Sequence, residues 1–140
     1  MSTARNMRTN ANLTVYNKYI ASHTDAWQRT VIYGVMWDSS KASNVRATGG
    51  EMYANQATIY IPFASVTNYS DPIAWAAART GKFTLKPGDI VVKGVVTDEI
   101  TSGFTMTDLR AKHDNVLTIA SVDTKDFGSA SMQHWQIGAR

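Results

Sequence analysis

Six short runs rich in β-branched and aromatic residues, separated by clusters of turn formers, constrain this chain more than any other feature. They are Leu13–Ile20 (LTVYNKYI), Trp27–Trp37 (WQRTVIYGVMW), Ala57–Phe63 (ATIYIPF), Ile90–Val96 (IVVKGVV), Val116–Val122 (VLTIASV) and Met132–Ile137 (MQHWQI). Such residues suit a pleated, half-buried surface. In Trp27–Trp37, Val31, Tyr33, Val35 and Trp37 alternate onto one face. The other face holds Thr30, Ile32, Gly34 and Met36, so this strand is expected to be covered on both sides along part of its length. Gly34 in mid-strand marks a bend, a bulge or a close backbone approach. Pro62 cannot donate to a ladder, so its strand is expected to end at an edge or leave the sheet.

Two helical segments punctuate the strands. Asp71–Thr80 has a capping Asp71, Pro72 at the first helical position and Gly81 as a left-handed stop. Its Ile73, Trp75 and Ala76–Ala78 predict a broad apolar face against a sheet or a neighbour. Thr107–Lys112 reads as one or two turns capped by Thr107. Leu85–Asp89 (LKPGD) is a turn centred on Pro-Gly. Asp38–Gly50 (DSSKASNVRATGG) reads as a long loop of small polar residues. There is no βαβ alternation. The expected fold is mainly β: a small antiparallel β-barrel or sandwich of about six strands with one or two short helices.

At 140 residues the chain makes one domain, here residues 13–140, preceded by an arm over residues 1–12. The formal charge of +3 is unevenly spread. Residues 1–24 hold Arg5, Arg8 and Lys18 and no acid, whereas the remainder carries 11 bases and 11 acids. The basicity therefore belongs to the N-terminal end. An arm of this composition is expected to be flexible unless a partner orders it. Solvated tail or protein docking is favoured over DNA binding, because so few phosphates would be neutralised. The segment MSTARNMRTNAN lacks an apolar core, so it is not read as a secretory signal. No apolar run approaches the ~18–20 residues that span a bilayer. A soluble intracellular domain without membrane contact is the expectation.

Chemistry has few candidates. The chain has no cysteine, which removes thiolate metal sites, disulfides and cysteine nucleophiles. His23, His113 and His134 show no metal-ligand spacing, and surface or rim positions are the default for each. Asp98-Glu99 and Asp123/Asp126 are the densest acidic spots, both in turn-like text. Asp123–Asp126 lacks the further ligands of a calcium loop. Gly49-Gly50 is not followed by the Lys-Ser/Thr of a phosphate loop. No catalytic, cofactor-binding or metal residue is assigned, and the chain is read as a non-enzyme. Its four tryptophans are more informative. Core packing is their first reading, subunit interfaces the second and base stacking the third. Trp37, Trp75 and Trp135, with Arg5 and Arg8, are the interface candidates.

The segments TVYNKY, RTVIYGVMW, ATIYIPF, LKPGDIVVKGVV and DLRAKHDNVLTIASVDTKDFGSASMQHWQIG resemble small virion-morphogenesis proteins of tailed phages and prophages. Within that group the chain looks like a head–tail joining protein of the neck, a stopper or head-closure subunit. The resemblance covers residues 13–138 and is strongest over 84–138. It implies a structural protein that forms a ring of copies between portal or adaptor and tail and helps retain packaged double-stranded DNA. It also implies a station in the virion neck after assembly in the host cytoplasm. Lys41, Asn44, Arg46, Gly49 and Gly50 are then the candidate channel-facing loop in contact with DNA, and the arm 1–12 would reach a neighbouring subunit. A tail-completion or minor capsid protein is the nearest alternative. A single-stranded nucleic-acid-binding barrel is the alternative from another class.

Overall fold

In a computed structural model, residues 8–45 and 51–140 are described, with 40–45 and 51–55 described by their backbone. Strands β1 (Ala11–Ala21) and β2 (Thr24–Val45) form a hairpin closed by Ala21↔Thr24. Its two central residues, Ser22 and His23, both have positive φ, 49° and 67°, and Thr24 Oγ1 donates to the Ala21 carbonyl at 2.7 Å. Two left-handed residues match the twist of paired strands, which is why so short a turn suffices.

Strand β3 (Glu51–Pro62) returns along β2, and the chain then makes helix α1 (Pro72–Ala77), β4 (Ile90–Lys93), helix α2 (Met106–Lys112), β5 (Val116–Lys125) and β6 (His134–Ala139). Every pairing between these strands is antiparallel, in the order β1-β2-β3-β6-β5-β4, and β4 pairs back with β1. Two three-stranded meanders are thus joined along both margins into a closed barrel. Closure leaves no free edge in the ring itself.

Alternation places Leu13, Val15, Ile59, Ile61, Ile137 and Trp135 inside the barrel. On β2 the inward residues are Ile32, Val35 and Trp37, not the Val31, Tyr33, Val35, Trp37 set expected from simple alternation. Gly34 explains the difference. It is the extra residue of a bulge, because Ala11 faces Val35 while Asn12 faces Tyr33. One inserted residue reverses the parity of everything before it. Tyr33 is therefore exposed, and Gly34 adopts φ +85°. A Cβ at this position would lie 3.3 Å from Ser65 Oγ, which itself donates to the Gly34 carbonyl. Gly34→Ala is expected to lower stability by about 1–3 kcal/mol. Urea unfolding that leaves the midpoint unchanged contradicts this account of the bulge.

The strand covered on both faces is β1, not β2, for Leu13–Asn17 are all buried. Tyr16, Ile90, Val92 and Val116 form an outer cluster roofed by Val96 and by Leu109 of α2. Thr14 anchors this roof: its hydroxyl donates to the Gly94 carbonyl at 2.8 Å and accepts from Val96 N at 2.9 Å. Tyr16 donates to the Asp98 carbonyl at 2.7 Å, and burial pushes its phenol up to about 12.

Helix α2 starts at Met106, one residue before the expected Thr107, and its cap is Thr105. A capping box joins Thr105 to Asp108, supplying partners to two otherwise orphaned N–H groups. Helix α1 is shorter than the expected Asp71–Thr80. It ends at Ala77, and Gly81 serves the turn in which Lys82 N donates to the Arg79 carbonyl. Only Trp75 of this helix is buried, so its apolar face is narrower than the sequence predicts. Pro62 closes β3, after which the chain leaves the sheet in a 3-10 turn, Phe63–Ser65.

Candidate assembly surfaces

The main departure from the sequence reading lies at Asp38–Gly50. Asp38–Val45 is strand rather than loop and pairs with Glu51–Thr58 in unbroken register, from Asp38↔Thr58 to Val45↔Glu51. β1 stops pairing with β2 at Ala11↔Val35, and β6 stops pairing with β3 at Ala57↔Ala139. Beyond Trp37 and Ala57 the two strands pair only with each other, among the described residues. Past the last barrel pair, Ser40–Val45 and Glu51–Gln56 form a ribbon that reaches about 20 Å beyond the barrel at 3.3 Å per residue. Its small polar residues read as loop because a ribbon flanked by no other strand needs no alternating apolar face. Lys41 lies opposite Asn55, and Asn44 lies opposite Met52. Arg46, Gly49 and Gly50 fall outside the described residues.

The ribbon's root is tied to the barrel. Trp37 is buried there, and Asn10 brackets it with two side-chain bonds, from Nδ2 to the Trp37 carbonyl (3.1 Å) and from Trp37 N to Oδ1 (2.8 Å). Asn10 N also donates to the Val35 carbonyl at 2.9 Å. The last three residues of the expected arm, Asn10–Asn12, are therefore built into the barrel, and Ala11 and Asn12 begin β1. Arg8 is exposed just before them, and Arg5 lies outside the described residues.

The three tryptophans proposed as interface anchors are in the protein's own interior. Trp37 and Trp135 belong to the barrel core, and Trp75 is buried beneath α1. Trp135 stacks with Phe63 and Tyr69, at 4.2 and 4.3 Å between ring centres. Trp75 Nε1 donates to the Lys82 carbonyl at 3.2 Å, whereas Trp37 Nε1 has no partner among the described residues. Large aromatic rings satisfy the core first because their burial dominates its energetics.

The exposed large apolar residues among those described are others: Ile20 and Tyr33 on the β1–β2 hairpin, Ile73 on α1, Val95 after β4, and Phe127 and Met132 between β5 and β6. The sequence offered one cue for them, an aromatic residue inside the polar turn DTKDFGS.

A buried acid escaped the sequence reading. Asp89, at the end of the Pro-Gly turn, is fully buried. Its carboxylate accepts from Asn17 Nδ2 (2.7 Å), from Lys18 N (2.9 Å) and from Lys86 Nζ. Lys86 Nζ also donates to the Lys18 carbonyl at 2.8 Å. The β1–β4 ladder ends at Tyr16↔Ile90, so these two side chains satisfy the next backbone groups of β1 in place of a strand. Burial raises the Asp89 carboxyl above its usual range, against the opposing pull of Lys86, Lys18 N and Asn17. These bonds clamp the margin of β1 to the Pro-Gly turn.

The other titratable groups are dispersed. Asp98 and Glu99 do not act as a carboxylate pair. Glu99 meets Arg29 at 2.7 Å, while Asp98 accepts from His113 Nε2 (3.1 Å) and Lys112 Nζ (3.0 Å). The His113 and Lys112 bonds hold the Asp98 carboxyl below its usual 3.8. A depressed acid stabilises the fold above its unfolded value and loses that contribution as pH falls below it. Asp98→Asn is therefore expected to flatten the loss of stability below pH 3.8, as read by thermal unfolding across acid pH. An acid limb identical to that of the wild type refutes this. His134 bonds the Met132 carbonyl and lies edge-on to Tyr60. Among the described residues no three His, Asp or Glu side chains gather as metal ligands, and no helix is long and apolar enough to cross a membrane.

Fold and surface together define a closed antiparallel β-barrel carrying a projecting two-stranded ribbon. Residues 8–140 match a family of unknown function (DUF6751), and the chain belongs to that family. No curated protein and no solved structure matches it.

Proposed function

We propose that this chain is a structural subunit of the virion neck in a tailed phage or prophage, a head–tail joining protein of the stopper or head-closure kind. Copies form a ring between portal or adaptor and tail, and the ribbon of each subunit reaches inward to narrow the channel that holds the packaged DNA. The observation that carries this reading is the ribbon. A two-stranded hairpin alone is marginal in water, and one that extends past its barrel with both outer margins unpaired among the described residues is fit to be completed by neighbouring chains. The balanced charge of residues 25–140 supports side-by-side packing, since strongly like-charged copies would repel.

The test is to label the protein in virions and image the neck. Label at the head–tail junction supports the proposal; purified virions that lack the chain overturn it, and label along the tail or on the capsid favours the tail-completion or minor capsid alternative. A ribbon-shortened variant sharpens the result. Replacing residues 40–56 by Asn-Gly closes the hairpin at Ser39↔Ala57 and leaves the barrel's own pairs intact. Its expected phenotype is a folded protein whose heads package DNA but release it. Heads that keep their DNA remove the ribbon from channel closure.

A further inference from the structure

We propose that the ribbons of neighbouring copies join edge to edge, the outer margin of β2 in one copy pairing with the outer margin of β3 in the next. The inference rests on the neck reading above for the ring it builds, while the choice of margins comes from the ribbon itself.

Backbone direction decides which residues of β2 are available. Trp37 turns both its N–H and its carbonyl away from β3, because the Asn10 side chain bonds both from the β1 flank. In an extended antiparallel strand, residues two apart present these groups to the same flank. Ser39, Lys41, Ser43 and Val45 offer theirs on the side that β1 has left, with no strand to receive them among the described residues.

Trp37 lies opposite Ile59, so the outward residues of β3 are those in step with Ile59. Ala57 is the last of them to meet β6, and Asn55, Tyr53 and Glu51 follow with no strand beside them among the described residues. The pairing from Asp38↔Thr58 to Val45↔Glu51 has no bulge, and neither strand contains a proline before Pro62. Exposed edges are ordinarily twisted by bulges or interrupted by proline. These two are straight, and every residue on them can donate.

Each margin suits the other better than it suits itself. β2 and β3 run in opposite directions, so β2 of one copy beside β3 of another is an antiparallel pair when both ribbons point the same way. β2 beside β2 is antiparallel only when the ribbons point in opposite ways. Charge favours the first arrangement. Lys41 is the only charged residue of segment 40–45, and Glu51 the only one of segment 51–56. Unlike margins bring these opposite charges onto adjoining strands, whereas like margins bring equal charges together. The contact is heterologous, each copy giving one margin and receiving the other, and a rotation that closes leaves no edge bare. The product is an inner barrel with two strands from every copy. At about eight strands such a barrel is filled by its own side chains, and at about sixteen it encloses an aqueous channel, so copy number decides whether the ribbons plug the passage or line it.

The absence of cysteine permits a clean test in the full chain. Ser43→Cys and Tyr53→Cys proteins are mixed at high concentration and treated with a short bifunctional thiol reagent. Cross-linking between the two variants is expected to exceed that of either variant alone, or of Ser43→Cys with the distant Ser102→Cys, by roughly tenfold. Lys41→Pro in the Ser43→Cys chain removes one outward N–H. An outer edge tolerates proline and a paired strand does not, so the yield should fall to the collision level while thermal unfolding of the barrel is unchanged. Lys41→Glu should reduce the yield, and adding Glu51→Lys to the Tyr53→Cys partner should restore it. Equal yields for all pairs, or a yield indifferent to Lys41→Pro, overturn the contact. Preferred self-linkage of either variant does so as well, because it denotes a two-fold pairing of like margins. The two proposals fail separately. Specific cross-links from a protein missing from virions retain the contact and refute the neck. A neck protein with collision-level cross-links retains the neck and refutes the contact.

Discussion

Asp89→Ala is expected to destabilise the barrel by about 3–5 kcal/mol, the range for removing one partner of a buried ion pair. The substitution leaves Lys86 without its carboxylate and withdraws the acceptor used by Lys18 N and Asn17. Asn17 would keep its bonds with Thr84, donating to its carbonyl (2.7 Å) and accepting from its N–H (3.1 Å), so the loss is concentrated where β1 runs past β4. Asp89→Asn keeps one acceptor and should lose less. The wild-type pH dependence has a definite sign. A carboxyl raised by burial binds its proton more tightly when folded, so its contribution to stability falls as pH climbs above 3.8 through the raised folded value. Asp89→Asn should abolish that descending limb. Urea unfolding between pH 4 and 8 reads both effects, and an Asp89→Ala midpoint equal to wild type would dismiss the clamp.

Trp75→Ala should be comparably damaging, about 3–5 kcal/mol for an emptied tryptophan site. Trp75 is the one buried residue of α1, and a six-residue helix has no stability of its own. Its ring also lies 5.0 Å from Lys86 Nζ and 5.9 Å from the Arg79 guanidinium, and Arg79 in turn covers Tyr19 at 4.1 Å. Removing the indole should therefore release residues 66–82 to limited proteolysis before the barrel unfolds. Ile73→Ala on the same helix should change stability by less than about 0.5 kcal/mol. Because Lys86 contacts both Trp75 and Asp89, the double variant should be non-additive. Strict additivity, or a Trp75→Ala segment as resistant as wild type, would show that α1 is held by something else.

The six strands and the class of fold were legible because alternation in runs such as ATIYIPF and VLTIASV reports a buried face directly. Three things were not. The bulge at Gly34 was marked by the glycine itself, but the face it produces depends on the register of β1, which local text does not carry. The ribbon hid in DSSKASN because a strand pair with no core behind it lacks the apolar period. Asp89 sits beside Pro-Gly like any turn acid, and its partners Asn17 and Lys18 lie some seventy residues earlier. The burial of the candidate tryptophans was hidden for a related reason. Tryptophans at strand ends look like anchors until the closed barrel draws them inward, while Ile73, in a helix expected to be buried along one face, is left outside.

Closing the ring with the last strand also bears on biosynthesis. One seam pairs Leu13 with Lys93, and the other pairs Ala57 with Ala139. Such distant pairings place folding on the order of milliseconds to seconds rather than microseconds. Until His134–Ala139 are in place, β3 and β5 each keep a bare flank, so chains cut before His134 should be sticky in a way the closed barrel is not.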